Sequence, residues 1–168
     1  MAGRPEILFP LFASVETLPG IGKKMAQALE ALAIQRPRDL LFHLPHSVVD
    51  RRPVASVQGQ ALPATLTVPV TARNHVPPRR PGGPYRIYVK DAETVFQIIY
   101  FRARGPYLES LFPQGEERIV SGKIELFDGE AQMVHPDYVV APEAAAEIAE
   151  FEALYPLAAG ITQKALSK

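Results

Sequence analysis

The chain has 168 residues, 47% of them hydrophobic and 21% charged, with 18 Lys and Arg against 18 Asp and Glu and no cysteine. Wholesale disorder is excluded, and the length allows one domain with an appendage or two very small domains. The lack of cysteine excludes disulfides and thiolate metal sites and suits a reducing cytoplasm, no apolar run approaches the roughly 18 residues that span a bilayer, and the start lacks the pattern of a secretory signal.

Residues 1–56 read as an N-terminal helical segment. Met25, Leu29 and Leu32 recur at the spacing of one helical face. Pro37 suits a first helical turn, Asp39 complements the helix dipole there, and Pro45 stops the apolar run of Leu40, Leu41 and Leu44. Ahead of these, Leu18-Pro19-Gly20-Ile21-Gly22-Lys23-Lys24 resembles a helix-hairpin-helix element. Its glycines permit a tight turn, the helix start offers free N–H groups to a phosphate, and Lys23 and Lys24 add positive charge there. A packing corner in which the glycines serve only the turn is the alternative. The string is not a nucleotide-binding P-loop, because Gly22 is followed by two lysines.

Residues 57–140 change period. Leu66, Val68, Val70 and Ala72 alternate with polar neighbours, as in a half-buried strand. Ile87 and Val89 alternate with Arg86, Tyr88 and Lys90, and residues 95–101 form a third strand. A short helix follows around Gly105–Phe112, then strands over Arg118–Phe127 and Ala131–Val140 joined at Asp128-Gly129, a hairpin signal. Three strands, a helix and two strands make a mainly β chain with some α: a five-stranded OB-fold barrel, a fold that binds oligonucleotides on its second and third strands and through the loop before them. Residues 141–168 read as a linker, whose acidic, alanine-rich part over 141–153 is either extended or a frayed helix, with Thr162 capping the start of a further helix.

The zero total charge conceals a basic stretch. Residues 71–104 carry a net charge of +5 and residues 105–152 a net of −9. Exposed charges more than about 10 Å apart scarcely interact at ordinary salt, so the basic stretch can attract a polyanion locally. Its candidates fall in two groups. The loop over residues 74–84, rich in Pro and Gly, carries Arg79 and Arg80, whose guanidinium groups suit phosphate. Arg86, Tyr88 and Lys90 share one strand face, and Phe101, Arg102, Arg104 and Tyr107 follow, an interleaving of rings and cations suited to base stacking along a charged backbone. The alternative is that Phe101 and Tyr107 cap the barrel core. His43 and His46 lack further ligands at metal spacing, His75 and His135 stand alone in sequence, Asp50-Arg51-Arg52 reads as local ion pairing with DNA contact by the arginines as the alternative, and no catalytic constellation is present.

Taken in order, Leu18–Lys24, Arg38-Asp39-Leu40-Leu41-Phe42-His43-Leu44-Pro45, Asp50-Arg51-Arg52, Tyr100-Phe101-Arg102, Tyr107-Leu108, Val120-Ser121-Gly122-Lys123, Gln132-Met133-Val134-His135-Pro136 and Leu154-Tyr155-Pro156-Leu157 resemble the amino-terminal region of the RecG family. The resemblance implies the wedge region of an ATP-dependent DNA helicase that remodels stalled forks and Holliday junctions in recombination and repair. In that family an aromatic ending the third strand and another opening the next helix stack on parted bases; the matching positions are Phe101 and Tyr107. The sequence contains no Gly-x-x-x-x-Gly-Lys-Ser/Thr string, so no cofactor is expected in this chain. ATP and Mg2+ are expected only for motor domains that it lacks. The expected partner is branched DNA, bound by a monomer in the cytoplasm with no membrane involved. The alternatives are a protein-interaction module of OB type and a general single-strand binder.

Overall fold

The structure, a computed structural model, describes residues 5–166, Lys164 by its backbone alone. They form two compact units, one from the residues up to Val49 together with those from Ala153 onward, the other from Asp50–Glu152.

The helical unit contains α1 (Lys23–Glu30), α2 (Pro37–Leu41) and α4 (Gln163–Leu166). The expected face of α1 turns inward: Leu29 is buried with Val15, Ile34 and Ile161, and Met25 and Leu32 pack against that cluster. Pro37 opens α2, and the Asp39 carboxylate accepts the Arg36 and Gln35 backbone N–H groups at 2.9 and 3.1 Å, satisfying donors that a helix start leaves free. The stretch read as a linker divides. Residues 141–152 stay with the barrel unit, whereas the part from Ala153 joins the helices, because Ile161 and Leu166 remove apolar surface from water against Leu29 and its neighbours.

The barrel unit is built from β2 (Ala64–Val76), β3 (Pro84–Lys90), β4 (Val95–Phe101), α3 (Gly105–Leu111), β5 (Glu117–Phe127) and β6 (Glu130–Val134). The strand order β2-β3-β4-β6-β5 closes through an antiparallel β5–β2 pairing, and only β4–β6 is parallel. This is the OB order, with the helix between the third and fourth barrel strands as expected. β7 (Tyr138–Val140) extends the sheet beyond β5, and β1 (Ser47–Asp50) pairs with β8 (Phe151–Leu154) in a separate two-stranded sheet. The alternation read from the sequence fills the interior: Leu66, Val68, Val70, Ala72, Ile87, Val89, Ile98, Val120, Ile124 and Met133 are buried around Leu108 and Phe112. Asp128 and Gly129 both take positive φ, 50° and 82°, as a two-residue hairpin turn requires.

β1 and β8 fall in stretches read as helical segment and linker, and two further stretches differ from expectation. Asn74, His75 and Val76 are not loop but the end of β2, paired with Tyr88, Ile87 and Arg86 after a register irregularity following Ala72. Here His75 is held at both ring nitrogens, Nε2 at 2.8 Å from the Phe112 carbonyl and Nδ1 at 3.2 Å from the Tyr85 hydroxyl, which anchors the chain as a strand. The final strand, read as continuous over 131–140, is broken into β6 and β7 by His135, whose φ of 47° cannot continue an extended chain. Within the acidic stretch, Pro142–Glu147 forms a 3-10 turn.

The turn between β3 and β4 is tied down by Asp91. Its buried carboxylate accepts the backbone N–H groups of Thr94 (2.7 Å), Val57 (2.8 Å) and Glu93 (2.9 Å) and the Ser56 hydroxyl (3.0 Å). Burial alone would raise its pKa, but these donors outweigh burial and hold the carboxyl below its ordinary value. The unfolded chain therefore binds this proton more readily, so the stabilisation is present at neutral pH and is lost as pH falls below about 4. Asp91→Ala is expected to cost about 2 kcal/mol at pH 7, because buried donors lose their acceptor. In urea titrations the gap between the two proteins should narrow as the pH falls below about 4; a gap independent of pH would contradict this account.

Candidate nucleic-acid interface

β3 turns Tyr85, Ile87 and Val89 inward and presents Arg86, Tyr88 and Lys90 on the other face, as the sequence predicted. In its antiparallel pairing with β4, Lys90 lies opposite Val95, Tyr88 opposite Gln97, Arg86 opposite Ile99, and Pro84 opposite Phe101. The β2–β3 loop, shortened to residues 77–83, thus returns beside the end of β4. Its tip is closed by the Gly83 N–H on the Arg80 carbonyl at 3.0 Å, and Arg79 and Arg80 are exposed.

A three-residue link joins β4 to α3. Phe101 ends the strand with 46% of its surface exposed, and Tyr107 sits in the first turn of α3 with 58% exposed. Neither ring caps the core. The residues next to them hold the scaffold: Tyr100 and Leu108 are buried, and the Tyr100 ring packs edge-on to Phe112 at 6.3 Å. Burial, and then the field of Tyr107, pushes the Tyr100 phenol well above its usual range. Arg102, in the link, takes a left-handed φ of 57°, and Arg104 is the residue from which α3 starts.

Among the described residues, none of Arg79, Arg80, Arg86, Lys90, Arg102 and Arg104 makes an ion pair. Nine of the eleven sequence candidates share the barrel unit, arranged on the β3–β4 pair, the loop before it, the link after it and the first turn of α3. Lys23 and Lys24 belong to the helical unit, exposed in the first turn of α1 after Gly22.

The local ion pair read in Asp50-Arg51-Arg52 holds for Arg52, 2.6 Å from Asp50, whose carboxyl is drawn down to about 2 by the side-chain and backbone hydrogen bonds of Arg52. It fails for Arg51, which is buried and pairs with Asp137 and Glu152, far away in sequence.

Sequence reasoning also missed a neighbour of Phe101. The His135 ring lies 6.0 Å from the Phe101 ring and 5.2 Å, edge-on, from the Tyr100 ring. The only sequence signal was its place in the Gln132–Pro136 string.

A closed barrel of OB order, with rings and unpaired cations on the outer face of its second and third strands, defines an OB-fold protein; the helical unit is additional to that fold. The chain belongs to the RecG wedge domain family, whose model matches residues 15–168. It is 25% identical over 127 residues to the ATP-dependent DNA helicase RecG of Aquifex aeolicus, an alignment covering 75% of this chain and 16% of that protein. A solved structure described as RecG bound to a three-way DNA junction superposes with a TM-score of 0.70 at 18% identity, over 90% of this chain and 21% of that one. The chain thus spans a minor part of the length of both. Among the described residues, no helix is long and apolar enough to cross a membrane, and no group of three or more His, Asp or Glu is placed to hold a metal ion.

Proposed function

We propose that this chain is the junction-binding wedge of a RecG-type helicase. Its barrel would part the strands of branched DNA, with unpaired bases stacking on Phe101 and Tyr107 and arginines holding the arms. One observation carries the reading: two half-exposed rings flank a three-residue link that carries Arg102 and Arg104, with Arg86 opposite Ile99 and the loop of Arg79 and Arg80 returning beside Phe101, and among the described residues none of these arginines is ion-paired. Water gains nothing from exposed rings on such a surface, whereas nucleobases stack on them with a gain of roughly 1–3 kcal/mol per base.

The energetics define a passive role. Opening one duplex step costs on average about 1.4 kcal/mol of stacking, so two rings can hold a couple of parted bases but cannot unzip a helix. Processive separation, and with it the remodelling of stalled forks and Holliday junctions, would come from motor domains using ATP and Mg2+. This chain covers 16% and 21% of the two RecG proteins it matches, which leaves length in them for such domains. We read the wedge as a monomer acting on branched DNA in the cytoplasm.

The test is titration of the isolated chain with a three-way fork, a plain duplex and a single strand at several salt concentrations. The expected order of affinity is fork, then single strand, then duplex. Log K should fall linearly with log salt, by about 0.9 per phosphate neutralised on duplex arms. Arg79→Ala and Arg80→Ala should each reduce that slope by about 1 while leaving the fork preference in place. Equal affinity for fork and duplex would overturn the wedge reading, and a single strand competing away the fork would favour a general single-strand binder.

A further inference from the structure

We infer that His135 is the positioning residue of the wedge tip: it locks the end of β4 so that the Phe101 ring stands outward beside a second exposed ring, its own. The inference rests on the functional reading above and adds to it a residue from a different strand segment. The Phe101 backbone N–H donates to His135 Nε2 at 3.1 Å, so Nε2 serves as acceptor and Nδ1 carries the ring proton. In return the His135 N–H donates to the Ile99 carbonyl at 2.9 Å, which extends the parallel β4–β6 pairing by one residue past Val134. Phe101 is the last residue of β4, two residues beyond Ile99, where the parallel register with β6 ends. The imidazole is therefore the group that satisfies the Phe101 donor at the point where the strand ends.

His135 itself is held in a conformation that few residues tolerate. Its φ is 47°, and Arg102, immediately after Phe101, has a φ of 57°. Left-handed backbone at non-glycine residues costs free energy and persists only where the surroundings impose it. Here two such residues bracket one exposed ring. The next residue, Pro136, packs on the backbone of Gly122 in β5, where a Cβ would come within 3.1 Å of the Pro136 Cα. The support for the imidazole is thus the barrel wall. With its ring tilted 36° to Phe101 and edge-on to buried Tyr100, His135 bridges the fixed core and the exposed tip.

The acceptor and the ring can be separated by substitution. His135→Gln keeps an acceptor near the Nε2 position and removes the ring; His135→Phe keeps the ring and removes the acceptor; His135→Ala removes both. Two readouts apply to the 168-residue chain: amide exchange at Phe101 without DNA, and the quenching of 2-aminopurine placed at the first unpaired position of a three-way fork, with duplex affinity measured in parallel. Exchange at Phe101 is expected to rise at least tenfold in His135→Ala and His135→Phe and to stay near wild type in His135→Gln. The fork-over-duplex ratio should fall about fivefold or more in His135→Ala, the lower end of one lost base stack, with duplex affinity unchanged. His135→Gln should recover at least half of the 2-aminopurine quenching. If His135→Ala keeps both the quenching and the fork ratio while Phe101→Ala loses them, the positioning role is wrong and the wedge reading stands. Should Phe101→Ala also leave them intact, both fall together.

Discussion

Arg51→Ala is expected to destabilise the barrel unit by about 3–5 kcal/mol, the range for removing one partner of a buried ion pair. The Arg51 side chain is 7% exposed, and its guanidinium is engaged on every side. Nε donates to Glu152 at 2.7 Å, Nη1 to the Ser121 hydroxyl at 2.9 Å and Nη2 to Asp137 at 2.9 Å, with the Tyr138 ring 5.1 Å away. Ser121 in turn accepts the Thr67 hydroxyl of β2 at 2.8 Å. Burial works against the charge, but Glu152 and Asp137 outweigh it and strengthen the hold on the proton. Their contributions to the loss differ: Asp137 is 53% exposed and recovers water when the arginine goes, whereas Glu152, 19% exposed, and fully buried Ser121 cannot. The cost should therefore fall on the Glu152 side, and Arg51→Ala with Glu152→Gln should be less harmful than the sum of the two. For a unit of roughly 100 residues the single substitution should lower the thermal midpoint by more than about 12 °C. Calorimetry of the two proteins decides it, and a drop of one or two degrees would show the cluster to be dispensable. Arg51→Lys should be intermediate, since an ammonium cannot match three acceptors with a planar fork.

The second large effect is on binding. With Phe101 and Tyr107 both replaced by alanine, fork affinity should fall while duplex affinity holds, because duplex binding engages phosphates and leaves its bases stacked. Each ring contributes roughly 1–3 kcal/mol if it stacks on one base, which is about five- to 150-fold per ring. Both side chains are exposed, so the folded state should be altered by no more than about 0.5 kcal/mol. Fluorescence anisotropy with fork and duplex at one salt concentration, alongside a melting curve, separates the effects. An equal loss on fork and duplex would assign the rings to general contact, and no loss on either would remove them from the interface.

Much of the barrel could be read along the chain, because period-two alternation is imposed locally by the pleat. Ile87 and Val89 point inward and Arg86, Tyr88 and Lys90 outward as the string predicts, and Asp128-Gly129 turns where its φ tolerance says it should. Phe101 and Tyr107 could be singled out as candidates, but the same residues are equally good core residues. Their exposure depends on Tyr100 and Leu108 occupying the interior instead. The loop over 74–84 was read too long because the ties of His75 to Phe112 and Tyr85 join residues 37 and 10 positions away.

By itself, then, the amino-acid order determined the five barrel strands in outline, the Asp128-Gly129 turn, the basic stretch and the family resemblance, since each depends on neighbouring residues and their spacing. The tertiary structure alone decided which strands close the barrel, that the stretch from Ala153 packs with the first helices, where Arg51 finds its carboxylates and that His135 meets Phe101. Those contacts join residues from 34 to more than 100 positions apart. Their free energy comes from packing and desolvation at a meeting point that no local pattern encodes.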